Sequence, residues 1–422
     1  VTEVLEPGTA DAAAAGGCPV PHQVAASGCP VVHEEFFEPR PLGAHWALAD
    51  RLREQGTVHW NTQAQGFWMF TSQEAVRDIF RSPKIFSSQS ITPWDPFPQY
   101  KTIPTMVDAP DHLKYRRLLN PWFTAERVRA AEDGMRAIAR RRIEEIVDRK
   151  QCNFPVEFAM HFPTEVFLQF TGLPQEDTAK MTKWVDDFFA GYGGDPATQE
   201  AMAAGIAGLT AYLKDAVDDR RGESAPREGD FTSELMHASF GGERPLTDQE
   251  VIDLVFLAII GGLDTTKSQL SYFFRHLAEN PGDRIRLVEE PEIIPLAVEE
   301  ALRFYAILFG DGRKVTEDYS FHGVELKKGD MVWAMTAAAN RDPKAFERAN
   351  EFVVDRKKNL HAGFALGPHR CVGMHLARTS MRIATEEWLR AIPSFRLDAQ
   401  ERLMERGAGS MLSPFDVPLA WD

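Results

Sequence analysis

One cysteine near the end of the chain is framed by glycines, in Phe364-Ala365-Leu366-Gly367-Pro368-His369-Arg370-Cys371-Val372-Gly373. A helical pattern starts just after it and continues through Ser380 to Ile392. A thiolate is favoured at a helix N-terminus, where free N–H groups and the helix dipole carry partial positive charge. Gly367 and Gly373 let the backbone approach a flat ligand closely. A lone cysteine is ordinarily a buried structural thiol. Here the spacing of Phe364, Gly367 and Gly373 around it favours a ligand for a soft metal centre.

Two further sets stand out. Gly261-Gly262-Leu263-Asp264-Thr265-Thr266 interrupts an apolar helical run with polar residues. Each mid-helix glycine costs about 1 kcal/mol relative to alanine, so something else must require it. A threonine hydroxyl bonding back to the i−4 carbonyl is the plain account of the polar residues. Glu300-Ala301-Leu302-Arg303 places two opposite charges at i, i+3 on one helix face, where they can pair. Glu126 and Arg129, and Glu387 and Arg390, share that spacing, so spacing alone does not separate a buried pair from a solvated one.

Phe364, Gly367, Cys371 and Gly373 together resemble the haem-binding signature of the cytochrome P450 family, with Ala365 where a second glycine is usual. The resemblance covers nearly everything after residue 40. It implies a P450-like fold with a long central helix over the haem, and a haem b whose iron takes the Cys371 thiolate as axial ligand. Phe364, Gly367 and Gly373 would shape the bed of the haem. The Glu–Arg pair of the family falls on Glu300 and Arg303, and Arg356, after Phe352 and Asp355, matches its third member. Their implied role is a buried structural network. In the family the Gly261–Thr266 segment passes over the haem. Gly262 then leaves room for dioxygen, and the acid–alcohol pair Asp264 and Thr265 delivers protons, which is general acid work by a positioned carboxylate and hydroxyl. Asp108 to Arg117 resembles the family's helix over one haem edge. His112 and Arg116, at i, i+4, are candidates for the haem propionates together with Asp311, Arg313 and His369, arginine being well shaped for paired carboxylate oxygens. Lys114 reads as surface charge. Arg117 and Arg370 would form a local basic patch on the cysteine side, where an acidic ferredoxin docks.

Several stretches resemble the bacterial camphor hydroxylase branch: Gln151-Cys152-Asn153-Phe154, Gly172-Leu173-Pro174, Phe321 to Asp330 and Trp388 to Pro393. This implies a soluble, ferredoxin-fed enzyme that uses O2 on a small hydrophobic substrate such as a terpenoid. Camphor itself is disfavoured, because Ala306 to Gly310 is one residue longer than in that branch. Candidate pocket residues are Ile91, Thr92, Trp94, Phe97, Tyr100 and Thr102 from a loop and Leu257, Ile260 and Gly261 from the central helix. Leu308 and Phe309 follow the Glu–Arg helix, and Ser410 and Met411 lie near the end. Tyr100 is a candidate donor to a substrate oxygen. A peroxide-driven peroxygenase and a non-catalytic haem sensor or binder are the rival classes. The Asp264–Thr265 pair argues against the first, and the absence of a visible effector domain against the second.

The elements that must position these groups are mostly helical. The longest pattern runs from Thr247 to Asn280. Thr247-Asp248-Gln249-Glu250 is a capping box, Pro281 stops the run, and the apolar centre Leu254 to Leu263 predicts a helix buried all round. Helices are also expected over Ala44 to Gln55, Ser72 to Arg81, from Asp111, and over Ala125 to Arg149 as one long element. Strand alternation lies within Thr57 to Thr71, and short strands are expected at Tyr319 to Phe321, Val324 to Leu326 and Met331 to Ala334. Residues 86–106 read as loop. The expected class is mainly α with a minor β region, in one domain over residues 40–422.

Residues 1–39 read as an extended or disordered leader. It repeats Cys18-Pro-Val-Pro-His22 as Cys29-Pro-Val-Val-His33, a ligand set that would suit tetrahedral zinc. With no core around it, coincidence is the better reading. The formal net charge is −15, which argues against nucleic acid as a bulk partner. No apolar run reaches the roughly 18 residues of a membrane span, and no signal peptide is visible. Four cysteines in 422 residues are no disulfide framework and point to a reducing, cytoplasmic setting.

Overall fold

A helix of 32 residues, Asp248–Glu279, runs through the middle of the protein. At 1.5 Å per residue it is about 48 Å long, enough to cross the whole fold. Thr247 and Glu250 close the capping box, each side chain bonding the other's backbone N–H. Most of its apolar and several of its polar side chains are buried, as its apolar centre predicts. The computed structural model describes residue 24 and residues 27–98, 101–191, 196–407, 409 and 411–422.

Packed along this helix are, among others, His161–Thr171, Thr178–Ala190, Ile294–Phe304 and Met374–Ala391. Their shared core contains Phe154, Phe158, Leu270, Phe274 and Trp388. A six-stranded sheet lies to one side, in the order Val31–Val32, Val58–Asn61, Phe67–Phe70, Met331–Ala334, Asp311–Val315, Phe86–Ser87. Its middle strands pair in parallel, with Trp333 opposite Met69. Asp311–Val315 runs antiparallel to Met331–Ala334, with Gly312 opposite Trp333. A second, smaller core that includes Phe70, Val76, Phe86 and Val332 lies beneath it. The architecture is mainly helical with a minor sheet.

Three expectations change. Phe86–Ser87, at the start of the stretch read as loop, forms the edge strand of the sheet and pairs with Lys314 and Val315. The stretch read as one helix over Ala125 to Arg149 is broken into Ala125–Ala130, Glu132–Glu144 and a short 3-10 turn Val147–Arg149. Val128 anchors the first piece, and Met135, Ile138 and Ala139 the second, so the apolar period runs on past the break at Ala131. The end of the presumed leader also joins the body. Val31 and Val32 pair with Trp60 and Asn61, and Phe36 is buried with its ring centroid 4.6 Å from that of Trp333. Cys18 and His22 of the repeat lie outside the described residues. Among those described, no cluster of three or more His, Cys, Asp or Glu is placed to hold a metal ion. No described helix is long and apolar enough to cross a membrane. Cys152 is a core thiol that burial pushes up to about 12.

Candidate active site

The cysteine loop is shaped by what it touches. Gly367 has φ 69°, and a Cβ there would lie 2.2 Å from the Phe80 carbonyl oxygen, so no larger residue fits. The Cys371 N–H donates to the Phe364 carbonyl at 2.9 Å. The helix Met374–Ala391 follows, with Gly373 at its N-cap. Cys371 is surrounded by protein, yet its surface is open because it lines an internal cavity. Burial pushes its thiol up, while the Gly373 N–H and the charges of Arg116, Arg378 and Arg370 pull the other way. Ala365 sits at φ 54°, in the left-handed region where glycine is the unstrained choice.

The cavity has a volume of about 380 Å³, within the range of small-molecule sites. The central helix lines it with Leu254, Leu257, Ala258, Gly261 and Thr265, at i, i+3, i+4, i+7 and i+11 on one face. Thr265 Oγ1 donates to the Gly261 carbonyl at 2.6 Å, and Thr266 Oγ1 to that of Gly262 at 3.2 Å. The two glycines differ. A Cβ at Gly262 would lie 2.8 Å from the Phe167 ring, whereas one at Gly261 would meet nothing within 4 Å. Both glycines line the cavity, and Gly262 is small also to admit the Phe167 ring.

Asp264, expected beside Thr265, is turned away and does not line this cavity. Its carboxylate is held by Lys267 Nζ at 2.9 Å, one turn along the same helix, and by Arg406 Nη1 at 3.1 Å. Both cations also approach Asp186, at 3.1 and 4.0 Å, and that side chain is half exposed. Burial pushes the Asp264 carboxyl up, but the two cations outweigh it and hold it below the usual range. Lys267, Arg406 and Asp186 were not singled out in the sequence. Lys267, at i+3 from Asp264, was the one legible there.

At one edge of the cavity His112 and His369 stack with ring centroids 3.9 Å apart. Burial and neighbouring cations push His112 down to about 4 and His369 down to about 3. The Nε2 atom of each is buried without a partner. Arg116 lines the cavity and donates to the Arg370 carbonyl at 2.7 Å. Two orphaned imidazole nitrogens beside an arginine fit a group that brings carboxylates to this edge, as haem does. Asp311 does not serve as a carboxylate binder, since like charges repel. It pairs with Arg313 Nη1 at 2.8 Å and orients that guanidinium.

Glu300, Arg303 and Arg356 converge in the core. Glu300 accepts from Arg303 Nε and Nη2, from Arg356 Nε, from Asn359 Nδ2 and from the Val353 N–H, at 2.7–3.1 Å. Arg303 also donates to the Asn340, Ala349 and Glu351 carbonyls, each at 2.8 Å, so all five of its N–H groups are used. Of the other pairs at this spacing, Glu387 is buried and engages Arg136, Arg140 and Arg390.

Of the pocket candidates, Ile91, Leu257, Gly261, Leu308 and Met411 line the cavity. Gly312 donates to the Ile91 carbonyl at 2.8 Å and has no room for a Cβ against it, which brings Ile91 inward. Leu308 and Met411 pair as an isolated bridge. The other described candidates are turned elsewhere. Phe97 is 65% exposed, with Lys314 Nζ 4.0 Å from its ring centre. Trp94 packs edge-on against Phe37 and Trp333. Phe309 packs on Phe36 and Trp333, and Ile260 is in the core. Thr92 forms a turn with Asp95, and the Thr102 hydroxyl points to Met106 Sδ. Tyr100 and Ser410 lie outside the described residues. Leu254 and Ala258 were missed, although stepping back seven and three positions from Gly261 finds both.

A family model described as Cytochrome P450 matches residues 53–406. A probable cytochrome P450 127A1 of Sinorhizobium fredii (strain NBRC 101917 / NGR234) is 33% identical over 359 residues, covering 85% of this chain and 84% of its own. The mycinamicin IV hydroxylase/epoxidase of Micromonospora griseorubida is 32% identical over 365 residues, covering 84% and 89%. The solved structure of CYP101J2 matches with a TM-score of 0.83 at 28% identity, over 96% of this chain and 99% of that one.

Proposed function

This chain belongs to the cytochrome P450 family and is a haem-dependent monooxygenase, and from that premise we propose that it hydroxylates a compact, apolar molecule of the terpenoid class, with electrons from a ferredoxin-type protein. The observation that carries the reading is one apolar cavity with Cys371 on one wall and Gly261 and Thr265 of the central helix on another. When bound, the haem supplies the redox chemistry that activates dioxygen. Cys371 would supply its thiolate ligand, and His112, Arg116, Arg313 and His369 would hold its carboxylate edge.

The remaining work falls to side chains. Leu254, Leu257, Ala258, Leu308 and Met411 give the substrate an apolar wall and exclude water. Gly261 keeps space open beside the Thr265 hydroxyl, which holds a proton at the cavity surface. Asp264 supplies that proton from behind. While Lys267 and Arg406 hold it, it is ionised and a poor donor, so delivery requires both cations to shift toward Asp186, which reaches solvent. Asp264→Asn is therefore expected to lower product formation about 10²-fold or more, with substrate binding unchanged. Turnover in light and heavy water checks this, and an unaltered rate would remove Asp264 from the proton path. Thr265→Ala is expected to divert electrons to peroxide, and tight coupling of reductant to product in that variant would count against its role.

Leu257→Phe is expected to weaken binding of the preferred substrate about fivefold or more, since overpacking costs about 1–3 kcal/mol. The readout is the spectral shift of the ferric protein across terpenoids, steroids, fatty acids and aromatics. A screen in which no terpenoid binds would overturn the substrate class. Arg117 and Arg370 are exposed near the cysteine loop, whereas Lys114 is engaged by Asp111 and Glu243. Electron transfer from an acidic ferredoxin should slow as salt rises past physiological strength. An unchanged rate would sink the electrostatic docking. Product formed only with hydrogen peroxide would favour a peroxygenase.

A further inference from the structure

The helix Ile294–Phe304 sends two consecutive glutamates in different directions. Glu300 enters the buried network, while Glu299 meets a second cluster behind the cysteine loop. Arg378 Nε donates to Glu299 Oε1 at 2.5 Å and Nη2 to Oε2 at 2.9 Å. His361 Nε2 lies 3.1 Å from Glu299 Oε2. Its Nδ1 accepts the Gly363 N–H at 3.0 Å, so the ring proton sits on Nε2 and donates to Glu299. The Arg378 guanidinium lies 4.6 Å from the centre of the Phe364 ring. The Phe364 carbonyl in turn accepts the Cys371 N–H, and both residues line the cavity. The His361 side chain is 2% exposed, and Arg378 and Glu299 about a quarter exposed, at 26% and 25%.

We propose that Arg378 is a positioning residue that tempers the electron donation of the Cys371 sulfur, and that Glu299, steadied by His361, sets how much of the Arg378 charge the sulfur feels. The proposal rests on the reading of Cys371 as the haem ligand. Of the three arginines around the cysteine loop, Arg116 lines the cavity edge and donates to the Arg370 carbonyl, and Arg370 is exposed to screening water. Arg378 is gripped by a bidentate carboxylate partner, which fixes its place. Arg378 is the member of the pair that packs on the Phe364 ring of the cysteine loop.

The physical consequence has a sign. A positive charge beside the thiolate favours the reduced haem, which carries one more negative charge, and a negative charge disfavours it. The two partners should therefore act in opposite directions. A role confined to holding the loop would move both variants the same way.

The test is a spectroelectrochemical titration of the haem-loaded protein, poised at the midpoint potential of the wild type. Arg378→Gln should lower the ferrous fraction below one half, and Glu299→Gln should raise it above. Shifts of the same sign, or no shift in either, would overturn the proposal. If Arg378→Gln leaves Glu299 unpaired and fails to fold, the double variant E299Q/R378Q carries the test instead. Reversal of the rise seen with Glu299→Gln supports the proposal, and persistence of the rise overturns it. The ferrous–CO spectrum of the wild type is recorded first. A missing thiolate-type band there would overturn the ligand reading itself, before Arg378 is in question.

Discussion

Cys371→Ala is expected to abolish the thiolate-type ferrous–CO band and to reduce turnover to background, while the polypeptide still folds. The fold should survive because the loop does not depend on the sulfur. Its bond to Phe364 uses the Cys371 backbone N–H, Gly367 is seated against the Phe80 carbonyl, and the helix Met374–Ala391 follows from its own buried face. What is lost is the soft donor on the cavity wall, and with it the electron push that the thiolate supplies. Thermal unfolding of the haem-free protein checks the first half, and the spectrum of the reduced, CO-treated protein the second. A retained band would remove Cys371 from the ligand position.

Arg303→Met is expected to act on the fold itself. The guanidinium is fully buried and spends all five N–H groups on Glu300 and on the Asn340, Ala349 and Glu351 carbonyls. Methionine fills much of the space but leaves three carbonyls without this donor and Glu300 with one arginine in place of two. Removing one partner from a buried charged set costs about 3–5 kcal/mol, against a net stability of about 5–15 kcal/mol for a typical domain. Arg303→Lys should fare little better, because one ammonium cannot reproduce the planar fork. Denaturant unfolding with haem content as a second readout tests this. A variant within about 1 kcal/mol of the wild type would reduce the network to the worth of a surface pair.

The central helix was legible from its ends inward. The capping box at Thr247–Glu250 and the stop at Pro281 are local signals, and local bonds made them good. The break at Ala131 was not legible, because no glycine or proline marks it and the apolar period runs through it. The pocket loop misled for a related reason. Aromatic density reports that side chains prefer burial, not which way they point. Trp94 joined the sheet-side aromatic cluster with Phe37 and Trp333, and Phe97 went to the surface under Lys314.

The sequence by itself determined the groups that do chemistry and their local frame: the thiol between glycines, the Gly261–Thr266 insertion in an apolar helix, and the Glu300–Arg303 spacing. These depend on turns, caps and helical neighbours a few residues apart. Only the tertiary structure decided where those groups face. Asp264 and Thr265 are adjacent, yet about 100° apart around a helix of 3.6 residues per turn, and only one of the two lines the cavity. Thr265 does, because Asp264 is drawn the other way by Arg406, 142 residues further along the chain. The same holds for Glu299 and Arg378, 79 residues apart. Charge partners at such distances are chosen by packing, and no spacing along the chain records the choice.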